Sequence, residues 1–270
     1  MIKILHIIHG LYQGGSGRAL IAIAKYSAKE GSFKHRIISL APASPDAIQM
    51  AEELGMSVIN AADKDIILSA IENADIVHYH FWNNPGNYEF FQLELPPMRL
   101  LMWFHVAGDR APQIITKELI DYSDFALACS PYTYEHQAFQ SLAEGVRLNK
   151  TGMVYGATDF DRLSGVSPKP HETFNVGYIG DVNLLKIHPN YVAMSTAINV
   201  PNVKLILCGG GPIGYFQQQA MQLGGADRFE FRGFVEDIKS VLEIFDVYGY
   251  PLREDTCLLY TSPSPRDLAQ

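Results

Sequence analysis

Between Gly10 and Arg18 the chain reads GLYQGGSGR, four glycines, a serine and an arginine set between an apolar run and a stretch with helical apolar spacing (Ala19, Leu20, Ile23, Ala24). Strand, glycine loop and helix in that order offer backbone N–H groups to an anion. Glycine lets the backbone come close, and the helix N-terminus carries partial positive charge. Gly14, Gly15, Ser16 and Gly17 are the candidate donors, and Arg18 in the first turn would add a bidentate contact to a phosphate or carboxylate. Two named phosphate loops fail. A P-loop needs Lys and then Ser or Thr after its last glycine, and here Ser16 and Gly17 follow Gly15. The dinucleotide fingerprint needs a third glycine where Leu20 stands, and no acid closes the next apolar run at residues 35–41. A tight turn without a ligand is the plain alternative.

Ligands of open parallel sheets bind beyond the carboxyl ends of the strands. At the predicted strand ends stand His78 and His80, His105 with Asp109 and Arg110, and Ser130. Later in the chain come Asp181 and Lys186, then Gly209, Gly210 and Gly211, then Arg253, Glu254 and Asp255. His105 ends an apolar strand just before Ala107-Gly108, which lets the chain turn towards a cleft, and it is the stronger functional candidate. His78 alternates with Tyr79 and reads as a hydrogen-bonded core position. Lys186 has a solvated surface as its alternative, and Gly209–Gly211 a simple turn.

Elements must place these groups. Apolar runs rich in β-branched residues at 36–40, 57–60, 75–81, 99–106, 124–130 and 153–157 predict strands, with helices over 16–30, 46–54, 64–73, 114–122 and from Ser130-Pro131 to 142. Residues 164–173, with Pro168 and Pro170, read as a linker. A second alternating series starts at Phe174: strands NVGYIG, VKLILCG, FEFRG and 246–250, with helices over 188–198, to 223 and over 235–245. The expected fold class is α/β, two parallel-sheet domains covered on both faces. The domains run 1–163 and 174–256.

Bulk properties agree. The 270 residues suit two ordinary domains, and 47% hydrophobic with 19% charged residues is a globular composition. A net charge of −8 argues against nucleic acid as a partner. Three scattered cysteines give neither a disulfide framework nor a zinc site. The most apolar later stretch, 90–106, is interrupted by Glu94, Pro96, Pro97 and Arg99, so no transmembrane segment is expected and a cytoplasmic location is. Residues 257–270, CLLYTSPSPRDLAQ, abandon the pattern and look like a translated sequencing-adapter peptide of metagenomic origin. A disordered Ser/Pro tail is the alternative.

The loop GGSGR, DIVHYH and FHVAG in the first half, with VGYIG, HPNYVAMSTA, PNVKLILCGGGP, FRGFVEDI and DVYGYPL in the second, together resemble the family 4 glycosyltransferases. The likeness spans residues 1–255. It implies the GT-B fold of two Rossmann-like domains facing a cleft, the second incomplete here. It also implies transfer of a sugar from a nucleotide-diphosphate sugar to a glycan, lipid-linked or small-molecule acceptor in carbohydrate biosynthesis. Configuration would be retained, with no bound metal and no cofactor beyond that co-substrate.

By the same resemblance the Gly15–Gly17 amides and Lys186 would clamp the diphosphate and Gly209–Gly211 would lie beside the nucleotide. His105 would contact the transferred sugar, and Glu254 would begin a two-glutamate motif that contacts donor sugar and ribose. Two departures stand out: Asp181 replaces the family's usual arginine, and the second glutamate is absent. The 270-residue form is therefore expected to be inactive. A nucleotide-sugar 2-epimerase of the same fold and an inert nucleotide-sugar-binding module are the competing functions. Acceptor choice would fall to loops at 83–94 and 106–113, and peripheral membrane contact is left open.

Overall fold

A computed structural model describes residues 1–184 and 186–249. The chain divides into two compact units that meet in sequence at Asp159 and Phe160.

In the first unit seven parallel strands, among them β3 (Ser57–Asn60), β8 (Phe125–Ala128) and β9 (Thr151–Met153), form one sheet in the order β3-β2-β1-β4-β5-β8-β9. The central strands are β1 (Ile2–Ile8), β2 (Phe33–Ser39), β4 (Ile76–Phe81) and β5 (Leu100–Phe104). They are apolar runs because both faces are covered. On one face Leu20, Ile21 and Ala24 of helix α1 (Gly15–Ala28) pack with Ile8 and Ile37 of the sheet and with Ala47 and Ala51 of α2 (Pro45–Glu53). On the other face Leu5, Ile7, Tyr79, Met102 and Phe104 pack against α3 (Lys64–Glu72), α4 (Pro85–Phe91) and α5 (Lys117–Tyr122). Strand order reverses between β1 and β4, which makes that crevice the switch point where open sheets place ligands.

The second unit has four parallel strands in the order β12-β11-β10-β13. Its sheet is built on β10 (Phe174–Ile179), β11 (Val203–Cys208) and β12 (Phe229–Gly233), with the short β13 (Val247–Tyr248) at one edge. Leu205 and Leu207 pack on Tyr191, Val192 and Phe216 on one side, while Ile206 and Cys208 pack on Val241 on the other.

Several expectations need correcting. The helix foreseen from Ser130 to 142 is two short ones, α6 (Pro131–Tyr134) and α7 (Gln137–Gln140), because the His136 imidazole accepts from Ala138 N–H and starts a new cap. The strand expected at 153–157 is Thr151–Met153. The expected loop at 83–94 contains α4, capped by Asn84, and β6 (Asp109–Arg110) pairs with β7 (Gln113–Ile114) in a small antiparallel hairpin. Helix α8 (Glu144–Lys150) was not foreseen. Among the described residues no helix is long and apolar enough to cross a membrane.

Candidate functional site

The N-terminus of α1 differs from its neighbours. Side chains of Ser44, Asp63, Asn84, Thr116 and Ser130 cap α2 to α6, each accepting from a first-turn N–H. The N-cap of α1 is Gly14, which has no side chain to cap with, and the helix's first turn holds no acid. The early amides of a 14-residue helix are thus left to an outside partner. The glycines separate into two kinds. A Cβ on Gly17 would overlap the Tyr12 carbonyl oxygen, so folding alone requires that glycine. Gly14 and Gly15 are exposed, a Cβ on either would meet nothing within 4 Å, and Gly14 has an ordinary φ of −74°. Neither packing nor backbone shape demands glycine there, whereas close approach of a ligand would. Ser16 lies between them and the helix body. Arg18 bends back, its Nε donating to Gln13 O at 2.7 Å, so it braces the loop.

Beside this loop the sheet carries a line of histidines on its α1 face. Parallel register brings His6 level with His78, while His80 and His105 lie successively nearer the carboxyl edge. The rings join diagonally: His35 Nδ1 to His6 Nε2 at 2.9 Å, His6 Nδ1 to His80 Nε2 at 3.0 Å, and His80 Nδ1 to His105 Nε2 at 2.9 Å. The far end of His35 meets Ser27 Oγ of α1 at 2.9 Å. Trp103 sits against His105, ring centroids 4.1 Å apart, and its indole N–H donates to Val154 O. Burial disfavours the charged imidazoles, and neighbouring rings add to the effect. His105 and His78 are pushed down to about 3, and His6 and His80 well below their ordinary value. His105 thus stands, neutral, where β5 ends.

His6, His78 and His80 can each bring a ring nitrogen within 4.8 Å of the others, a spacing open to a metal. His6 and His80, however, already use both ring nitrogens in the line. These contacts include no carboxylate to offset a buried dication. Hydrogen-bonded imidazoles are the better description. His78 stacks on His80 at 4.3 Å with its Nε2 buried and unpartnered, so it belongs to the layer without joining the line.

Sequence reasoning missed His6, His35 and His9. The first two look like single polar interruptions of apolar strands, and only the diagonal register connects them. His9 follows β1 and lines a cavity of about 470 Å3 with Leu40, Lys64, Ile67, Glu89 and Phe90. Its Nδ1 is buried and unpartnered, close against Gly86 of α4.

In the second unit the loop after β10 and the loop after β11 are locked together. Gly180 N–H donates to Cys208 O at 2.9 Å, and Val182 N–H to Gly210 O at 2.8 Å. A Cβ on Gly209 would overlap the Gly180 carbonyl, and one on Gly211 the Val182 carbonyl; their φ values are +149° and +136°. Gly209 and Gly211 are therefore glycines of folding, and only Gly210 faces open space. Helix α10 (Gly214–Gln222) follows with no side-chain cap. Asp181 is exposed, and its carbonyl accepts from Tyr178 Oη. Lys186 is half-buried, its amide fixed to Asn183 Oδ1 at 3.1 Å. Glu254 lies outside the described residues.

No family model matches the chain, and no curated protein matches it. Solved structures do match. A glycosyltransferase from Rickettsia africae shares 16% identity over 91% of this chain and 71% of its own, with a TM-score of 0.66. Anabaena Alr3699/HepE, solved in complex with UDP, shares 18% over 93% and 74%, also with a TM-score of 0.66. An alpha-glucosyltransferase solved with UDP and DNA shares 10% over 90% and 69%, with a TM-score of 0.56. That last structure shows that the fold itself is compatible with a nucleic-acid partner. With its two parallel sheets, the second smaller, the chain has the fold of the GT-B glycosyltransferases.

Proposed function

We propose that the chain is a glycosyltransferase of the family 4 type. It would move a sugar from a nucleoside-diphosphate sugar to an acceptor hydroxyl, with retained configuration and without a bound metal. In that reaction the bond from the anomeric carbon to the diphosphate breaks, a bond to the acceptor oxygen forms, and the acceptor proton leaves. Charge accumulates on the departing diphosphate and must meet preorganised donors. The free amides at Gly14–Gly17 supply them in the first unit, and the Lys186 ammonium is the candidate in the second. His105 contacts the transferred sugar, Gly210 leaves room for the nucleotide, and the cavity at His9 is suited to acceptor groups. UDP is the first nucleotide to try, since HepE was solved with it. Glu254 keeps its expected role as a donor contact.

The observation that carries this reading is the uncapped α1 terminus, whose exposed glycines have no reason within the fold. The test is calorimetric titration with UDP and other nucleotides, paired with turnover of labelled nucleotide-sugars by wild type and His105→Ala. Binding in both with turnover lost by about 100-fold or more in the variant supports transfer. Binding without turnover in either supports an inert module, which Asp181 in place of a cation favours. Neither binding nor turnover ends the proposal. A 2-epimerase would need a pair of carboxylates facing the sugar as general bases, and the sequence offers no such pair between Gly14 and Asp109.

A further inference from the structure

We infer that the hydroxyl of Ser27, acting through His35, His6 and His80, fixes His105 as its Nε2–H tautomer, leaving Nδ1 as a bare acceptor. The reasoning is a count of protons. A neutral imidazole has one N–H and one lone pair, and each link between two rings uses one of each. The line of four rings therefore runs in a single direction: every Nε2 donates, or every Nδ1 does. Its end decides which. Ser27 Oγ lies 2.7 Å from Ile23 O, and a carbonyl can only accept, so the one hydroxyl proton is spent there. Ser27 then meets His35 Nε2 with a lone pair, and His35 must donate. It follows that His6 Nε2–H donates to His35, His80 Nε2–H to His6, and His105 Nε2–H to His80. The opposite direction would set two lone pairs against each other at Ser27, inside a layer where an unmade hydrogen bond is costly.

At the other end, His105 Nδ1 has no partner among the described residues. An acceptor nitrogen takes a hydrogen bond from a hydroxyl and gives none to a phosphate oxygen. On the proposed placing of His105 at the donor, it would therefore select a sugar hydroxyl and leave the diphosphate to the α1 amides. Ser27, His35, His6 and His80 are positioning residues that act on the sugar only through His105. Burial, which keeps all four rings uncharged, removes the doubly protonated form that would erase the direction.

The test needs no substrate. The full chain is labelled with 15N-histidine, its two-bond nitrogen–proton spectrum is recorded at pH 7, and the His105 signals are assigned by their loss in His105→Gln. The expected wild-type result is a protonated Nε2 and a bare Nδ1 at His105. A protonated Nδ1 there overturns the inference before any other variant is made. Ser27→Ala is expected to move the His105 nitrogens to shifts between the two tautomers, and Ser27→Thr, which restores a hydroxyl, to return them. Ser141→Ala, which removes a similar hydroxyl-to-carbonyl bond from α7's end, should leave them unmoved. Unchanged His105 signals in a folded Ser27→Ala protein would also overturn the inference. Failure of the transferase reading would appear as absent turnover with these spectra intact, so the two are told apart.

Discussion

In the seven-stranded sheet one face carries His35, His6, His78, His80 and His105 across four adjacent strands, all buried. On the four-stranded sheet the strands β10 and β11 bury Tyr178, Val203, Leu205 and Leu207 in an apolar cluster with Phe229 of β12. Both sheets are parallel and covered by helices, yet only the first holds a layer of imidazoles. A buried polar layer is tolerated where its hydrogen bonds are made, and the line from Ser27 to His105 makes them ring to ring, whereas His78 Nε2 in the same layer is left unpartnered. The cost is that every ring in it must stay neutral.

The sharpest way to break this comparison is acid. His6, His78, His80 and His105 have their pKa values lowered by burial, so the unfolded chain binds protons that the native first unit refuses. For a lowered histidine, stability is complete above the unfolded value of 6.5 and falls as pH drops towards the folded value, about 3 for His105. Each ring contributes up to about 1.4 kcal/mol per pH unit across that window, so the upper bound for four together is about 5.6 kcal/mol per unit. That rivals the whole stability of a domain within one to two units. In the second unit His171 shifts the other way, raised by its contact with Asp246, so its contribution is present below 6.5 and lost as pH rises. Both tryptophans, Trp82 and Trp103, belong to the first unit. Their fluorescence should show unfolding near pH 5, while hydrogen exchange keeps the second unit protected. Equal acid resistance of the two units would show that the imidazole layer is not held neutral.

The glycine loops give a second contrast, of smaller effect. Gly209→Ala forces a methyl into the Gly180 carbonyl at a φ of +149°. It should cost about 3–5 kcal/mol, among the larger effects of a single substitution. Exchange protection of β10 and β11 should fall, and the tryptophan-monitored transition of the first unit should stay in place. A Gly209→Ala protein of wild-type stability would mean that the two loops are not locked as described.

Strand positions and the division into two series were legible because apolar runs and turn residues mark parallel strands directly. The short pieces were not. Asn84-Pro85 is as good a cap as Ser130-Pro131, but the seven residues of α4 are too few to show a helical period. The break at His136 depends on a side chain choosing a local amide. His105 was legible as a strand-end residue, whereas its connection to Ser27 was not, since diagonal contacts depend on register across four strands. Gly15 and Gly209 look alike in sequence. They differ only in what backbone lies beside them, open space for one and a carbonyl for the other.

That difference yields the smallest prediction and the most selective one. Gly15→Ala places a methyl in open space at the first position of α1, where alanine is a better helix former than glycine by up to about 1 kcal/mol. Thermal stability should therefore hold or rise slightly. If the exposed amides of α1 meet a diphosphate, the methyl stands where the ligand must approach. UDP affinity should then weaken by roughly tenfold, about 1.4 kcal/mol. Melting temperature and calorimetric titration of the same sample separate the two effects. A variant that is both more stable and unchanged in affinity would make Gly15 an ordinary turn residue and leave the α1 terminus without a ligand. A variant more stable and weaker in binding would mean that this glycine serves the nucleotide rather than the fold.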